Sequence, residues 1–377
     1  MKITKATIRW VDIPLRHPFT TSFTTMAAKQ CLILSLTTDT GLTGYGECSA
    51  FAQPFYNEEF RDGAAALLQK QLLPRLMAQT IQHPDDIYPI FAGFRRNNMA
   101  KAAINCALWD IYAQERQQPL AAALGGDKPQ VETGVSIGIQ ASPQALVTAV
   151  AGYLADGYRR IKMKIKPGKD YAYLKAVRDQ FPTAMLMADA NSAYRIEDLP
   201  QLQRLDDLNL IMIEQPLEPG DLIHHARLQA ALKTPVCLDE SITSVEDTQK
   251  MIQLGSGRII NIKVARVGGL TIAKQIQQIA QDAGIACWCG GMLDSGIARA
   301  ANVAIATLSG YTLPNDIAAS ERYYDADIIK PTISLIGTNV PVSKQIGLGY
   351  AVDQANLQRF TVATANINAT ECATVVE

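Results

Sequence analysis

Residues 184–191 read AMLMADAN, residues 210–216 read LIMIEQP, and residues 235–241 read PVCLDES. Each is a short apolar run closed by an acid, and the acids Asp189, Glu214 and Asp239 stand 25 and 25 residues apart. One strand, one loop and one helix take about that length, which is the repeating unit of a parallel sheet. Working outward, similar runs fall near 131–137, 159–165, 258–263 and 284–288, with a weaker one near 311–315. Eight runs at this period predict an α/β fold in which the strands close into a TIM-type barrel. The glycine-rich phosphate loop of an open dinucleotide-binding sheet is absent.

The chain before Gly125-Gly126 lacks the period. Residues 2–13, 31–37 and 43–48 alternate as strands, and helical patterns run over 57–79 and 98–114. The second helix carries Ala102, Ala103, Cys106 and Ala107, small enough for another backbone to approach closely. From about residue 330 the period is lost again, and strands and turns are expected to return to the first module. The expected division is an α+β capping domain over 1–126, the barrel over 127–328, and a returning segment over 329–377.

The composition bounds the function. Of 377 residues 48% are hydrophobic and 19% charged, which excludes a disordered or collagen-like chain. Lys plus Arg is 35 against 36 Asp plus Glu, a net charge of −1, which argues against a nucleic-acid or anionic-membrane partner. The opening MKITKATIRWVDIPL alternates like a strand and has no signal-peptide core, and no apolar window is long enough to span a bilayer. Seven cysteines without a regular framework fit a reducing compartment. A soluble cytoplasmic enzyme acting on a small molecule is expected, and a homo-oligomer is compatible with the composition.

In such barrels the chemistry sits at the carboxyl ends of the strands. Asp189, Glu214 and Asp239 end three successive strands, which lie about 4.8 Å apart. Three crowded carboxylates repel one another unless a cation lies between them, and all-oxygen ligation suits Mg²⁺ or Mn²⁺. The plainer alternative is three acids that cap the helices following them. The second strand, RRIKMKIK, puts Lys162 and Lys164 on one face and Ile161, Met163 and Ile165 on the other. The apolar face must meet the surrounding helices, so the lysines point into the barrel. A desolvated lysine beside another cation is expected to have a lowered pKa and to serve as a base. The sixth strand, RIINIKVARVGG, ends in Lys263 on the opposite side of an eight-stranded ring. Two lysines flanking a metal-held carboxylate suit proton abstraction beside that carboxylate through an enediolate.

Taken together, GVSIG, RIKMKIKPG, DANSAY, MIEQPL, CLDESI, GRIINIKVARVGGL and WCGGML-SGIARA resemble the enolase superfamily. Within its muconate-lactonising subgroup they are similar to the o-succinylbenzoate synthase/N-succinylamino acid (N-acylamino acid) racemase family. The resemblance covers the whole chain and implies a modified (β/α)₇β barrel under a capping domain formed by the N-terminal segment and the C-terminal tail. It implies Asp189, Glu214 and Asp239 as ligands of Mg²⁺ or Mn²⁺, Lys164 as general base and acid, Lys263 as its opposite-face partner, and Lys162 as the support of Lys164. Arg266, three residues after Lys263, is where the racemase-capable branch carries a lysine-tuning arginine; a surface arginine at a helix start is the alternative. Ser136, Asn191, Gly291 and Met292 would line the substrate. The segments Phe19–Met26 and Phe51–Tyr56, with Phe23 and Tyr56, would close over it. Asp294 departs from the glutamate common in relatives. The activity implied is syn-dehydration to o-succinylbenzoate in menaquinone biosynthesis. Racemisation of an N-acylamino acid is the alternative or a second activity, and muconate cycloisomerisation or a non-catalytic scaffold is more distant.

Other signals fall away. GVSIG at 134–138 lies within a strand, not at the turn that a nucleophilic serine needs. Cys287-Trp288-Cys289 has no second ligand pair for zinc, and no histidine follows His225, which disfavours the strand-seven histidine chemistry of dehydratases and mandelate-type racemases.

Overall fold

The computed structural model describes residues 1–20 and 24–372. Four strands form an antiparallel sheet in the spatial order Thr361–Asn368, Ile3–Thr20, Thr25–Thr38, Thr43–Cys48. In the second strand of the chain, Leu32, Leu34 and Leu36 face one way and pack on the helices of this module. Cys31 and Ile33 face the other way and join Val11 and Ile13 in a core shared with the barrel. A two-residue period with both faces buried is what places this sheet between its own helices and the barrel.

The helix Asn98–Glu115 crosses the inner sheet face at close range. A Cβ at Gly46 would lie 2.0 Å from the carbonyl oxygen of Ala103, and one at Gly44 would lie 2.2 Å from that of Ala107. The small residues of the helix thus meet glycines on the strand, and backbone touches backbone. The preceding helical run is shorter than its pattern predicts: it begins at Arg61, not at residue 57. Residues 57–60 turn aside instead, because Glu59 accepts the backbone N–H groups of Met99 and Ala100 at the start of the long helix.

Seven parallel strands follow in strict neighbour order: Gly134–Ile137, Arg160–Lys164, Met185–Asp189, Ile213–Glu214, Val236–Leu238, Ile259–Ile262 and Ala286–Cys289. They are called the first to seventh barrel strands below. The eighth position is filled by an irregular segment, residues 311–316. Tyr311 bridges Cys287, Asn315 bridges Thr133, and Asn315 accepts from the Gly134 N–H at 2.6 Å, so the segment joins the seventh strand to the first. On the second strand Ile161, Met163 and Ile165 pack outward in the core while Lys162 and Lys164 face the ring interior.

Below Lys162 the ring is plugged. Arg160 is fully buried, lies over the Trp288 ring at 4.6 Å and donates to the Pro314 carbonyl at 2.9 Å. Met187, Met212, Cys237 and Ile259 pack around Trp288. Cys287 and Cys289 point the other way into the outer core, as the packing reading of that triplet expects. Six cysteines among the described residues are free and buried, and no described helix is long and apolar enough to cross a membrane.

Candidate active site

One pocket opens at the carboxyl ends of the barrel strands, facing the capping sheet. Lys162, Lys164, Asn191, Lys263, Ser136, Gly291 and Met292 all line it, and Phe19, Met26, Phe51, Phe55 and Tyr56 close it from the cap. Phe23 lies outside the described residues. Every other substrate-lining position expected from the sequence therefore falls on a single cavity.

The charged groups interlock. Lys164 Nζ donates to Asp189 Oδ2 at 2.7 Å and also to the Asn191 side chain. Lys162 Nζ lies 3.3 Å from Asp189, 3.2 Å from Glu214 and 3.1 Å from Asp316. Lys263 Nζ donates to Asp239 at 2.8 Å and sits 5.0 Å from the Tyr56 ring centroid. Arg266 is not a surface residue: it is 2% exposed, pairs with the other oxygen of Asp239, and donates to the backbone oxygens of Ile242 at 2.9 Å and Asn261 at 2.6 Å. Asn261 in turn donates to Glu214 at 2.7 Å.

Equal spacing along the chain suggests three acids at one height, and the structure departs from that. Across the sheet Asp189 faces Glu214, but Glu214 faces Cys237, so Asp239 sits two residues further along its strand. Strand stagger in a closed sheet accounts for this, and equal sequence spacing cannot reveal it. Among the described residues no group of three His, Cys, Asp or Glu side chains is arranged as a metal site. Asp189 and Glu214 both meet Lys162, and Asp239 meets Lys263 and Arg266.

The charge of Lys162 and Lys263 follows the acids around them. Burial alone pushes the pKa of Lys162 down, but Asp316, Glu214 and Asp189 outweigh it and hold the group above the ordinary lysine value. Lys263 is likewise raised against its burial, by Tyr56, Glu240 and Glu214 among others. For these two lysines the neighbouring acids outweigh burial. Asp189 is pulled below the usual carboxylate range, since Lys164 and Lys162 overcome its burial. Glu214 is pushed up by burial and by Asp189.

A divalent cation nevertheless suits these residues. Glu214 Oε2 is buried and makes no aligned hydrogen bond, with the Lys162 ammonium 3.2 Å away, and the all-carboxylate set Asp189, Glu214 and Asp239 is the hard-ligand chemistry that Mg²⁺ or Mn²⁺ takes.

Sequence reasoning passed over several groups. Asp316, in the ring-closing segment, contacts Lys162 and accepts from Ser136 at 3.3 Å. Its stretch, LPNDI, offers a single acid outside any regular strand, so only its position at the expected eighth-strand end marks it. Glu240 follows Asp239 and accepts from Asn191 at 3.0 Å. Lys29 and Glu47 form a buried ion pair of 3.0 Å from the cap, beside the loop after the seventh strand. Lone charges in strands of a distant module carry no readable motif.

Comparison with known proteins decides the family. Residues 3–125 match the mandelate racemase/muconate lactonizing enzyme N-terminal domain, and residues 145–356 match the enolase C-terminal domain-like family. The chain belongs to the enolase superfamily. A Geobacillus kaustophilus relative named o-succinylbenzoate synthase is 47% identical over 94% of each chain. A Thermus thermophilus relative named N-succinylamino acid racemase is 43% identical over 96% of this chain and 98% of its own. The solved structure of an enolase-superfamily member from Listeria innocua, 41% identical, superposes with a TM-score of 0.96 over 98% of this chain and all of that one. The superfamily membership, the α/β barrel with its antiparallel cap, and an enzymatic family are thus established together.

Proposed function

We propose that this enolase-superfamily chain is an o-succinylbenzoate synthase, removing water from 2-succinyl-6-hydroxy-2,4-cyclohexadiene-1-carboxylate in menaquinone biosynthesis. The observation that carries the reading is that Lys164 and Lys263 enter one pocket from strands four places apart in the ring, with buried carboxylates between them. The near full-length likeness to relatives of that name supports it.

Asp189, Glu214 and Asp239 would hold the divalent cation, which supplies charge that stabilises an enediolate. Lys164 takes the α-proton of the substrate and then protonates the hydroxyl leaving on the same face, so proton and hydroxide depart as water and the ring becomes aromatic. Lys263, held by Asp239 and flanked by Tyr56 and Arg266, sets positive charge against the opposite face. Lys162, pinned among Asp189, Glu214 and Asp316, stays charged and keeps a cation beside Lys164. The capping aromatics exclude water from the carbanionic stage.

Racemisation of an N-succinylamino acid is the second reading. It is favoured by the two lysines facing each other, by the buried Arg266 on the carboxylate that orients Lys263, and by the relatives named as racemases. In that reaction one lysine removes the α-proton and the other returns it to the opposite face. The deciding experiment follows the ultraviolet absorbance of the cyclohexadiene substrate as purified protein and Mg²⁺ are added. Rapid loss that a chelator and Lys164→Ala both abolish supports the synthase. No turnover by folded, metal-loaded protein overturns it and passes the assignment to the racemase, read by loss of optical rotation.

A further inference from the structure

The loop Gly291–Ser295 forms one wall of the pocket through Gly291, Met292, Leu293 and Asp294. Its conformation is unusual, since Leu293 has a φ of 54°, a left-handed setting that a branched side chain seldom adopts. On one side it is tight against the ring-closing segment, where a Cβ on Gly291 would meet the Asp316 carbonyl oxygen at 2.8 Å. The barrel secures part of it. Asp294 accepts from its own Met292 N–H at 3.0 Å and from Asn302 at 2.9 Å, and its carbonyl accepts from Arg299 at 2.7 Å.

Two further backbone groups of the loop find their partners in the cap. The Met292 carbonyl accepts from Lys29 at 2.9 Å, and the Ser295 N–H donates to Glu47 at 3.1 Å. The Ser295 hydroxyl donates to the same carboxylate at 2.6 Å, and Ser49 donates to its other oxygen at 2.7 Å. Both charged side chains are fully buried and paired at 3.0 Å. Buried charges persist only when their hydrogen-bonding capacity is met, and here the loop supplies three of the bonds and Ser49 a fourth. The shape of this wall therefore depends on the seating of the capping sheet.

We infer that Lys29 and Glu47 are positioning residues that couple the capping sheet to the Gly291–Ser295 loop and so set the fit of substrate against that wall. The inference rests on the proposed function for its last clause, and on the geometry alone for the coupling. The pair acts through the loop and, by way of Lys29 lying 5.5 Å from the Phe51 ring centroid, through one capping ring; no hydrogen bond or ion pair joins it to Lys162, Lys164, Lys263 or the three acids, so binding should suffer more than chemistry.

The test uses the full-length, metal-loaded protein with Lys29→Met and Glu47→Gln combined, which leaves neither charge alone in the interior. Hydrogen exchange over residues 291–295 should quicken about tenfold, and KM for the cyclohexadiene substrate should rise about tenfold with kcat kept within about threefold. Ser295→Ala, which deletes one hydroxyl bond to Glu47, should move both readouts the same way by about threefold and serves if the paired variant does not fold. Unchanged exchange in the loop overturns the inference. So does a kcat loss equal to the KM change with a global fall in melting temperature, the pattern of a merely structural pair. If the wild-type protein turns over neither proposed substrate, the functional reading fails, while the exchange measurement still decides the coupling.

Discussion

Lys162 and Lys164 lie two residues apart on one strand, yet their surroundings differ. Lys162 touches three carboxylates and the Trp288 ring, whereas Lys164 has Asp189 and Asn191. Exchanging Lys164 for Ala should therefore remove activity by at least about a hundredfold while leaving the melting temperature nearly unchanged, read by turnover and calorimetry. Arg266→Gln tests the opposite face. It loosens Asp239 and with it Lys263, so racemisation, which needs Lys263 to move a proton, should fall at least about tenfold further than dehydration does. Equal losses in both assays would show that Arg266 serves only to hold the fold. Much of this site was legible as residues. Strand alternation placed both lysines inward, and the strand-end acids marked the right end of the barrel. Their partners were not legible, because whether Asp239 meets a metal, Lys263 or Arg266 is decided by side-chain geometry across strands, to which spacing is blind.

At the scale of elements, close backbone packing and one buried carboxylate hold the cap together. Gly46→Ala forces a methyl group against the Ala103 carbonyl, where neither backbone can yield, and should destabilise the protein by about 2 kcal/mol or more in a urea titration. Glu59, tying residues 57–60 to the start of the long helix, is pushed up to about 7, chiefly by burial, against the opposing hydrogen bonds from Met99 and Ala100. Its folded-state pKa exceeds its unfolded one, so the folded protein binds the extra proton between about pH 4.5 and 7. Its contribution to stability is complete below that window and is lost as pH rises through it, to a total of about 3 kcal/mol. Glu59→Gln, neutral at every pH, should flatten this part of the pH–stability curve, as thermal melts from pH 4 to 8 would reveal. The helical pattern before Arg61 misled for the same reason. Residues 57–60 have the spacing of a helix, but Glu59 satisfies another helix's free N–H groups, a tertiary demand that periodicity does not carry.

For the whole molecule, Asp189, Glu214 and Asp239 as the proposed metal ligands predict that a divalent cation stabilises the fold. Mg²⁺ at about a hundred times its dissociation constant should add about 2.7 kcal/mol, seen as a raised melting temperature that chelator reverses and Glu214→Gln diminishes. The barrel itself was readable from its period, because each strand–helix unit repeats the same physical solution. The eighth position showed only a weak run, and the structure explains why: residues 311–316 close the ring through bridges and single hydrogen bonds, with no regular strand to impose alternation. The packing of Arg160, Met187 and Trp288 beneath the lysines has a kinetic consequence. With the far end of the ring filled, traffic to and from the pocket runs past the capping rings Phe19, Phe51 and Tyr56. Replacing those rings with smaller side chains should therefore change how fast reactant enters and product leaves.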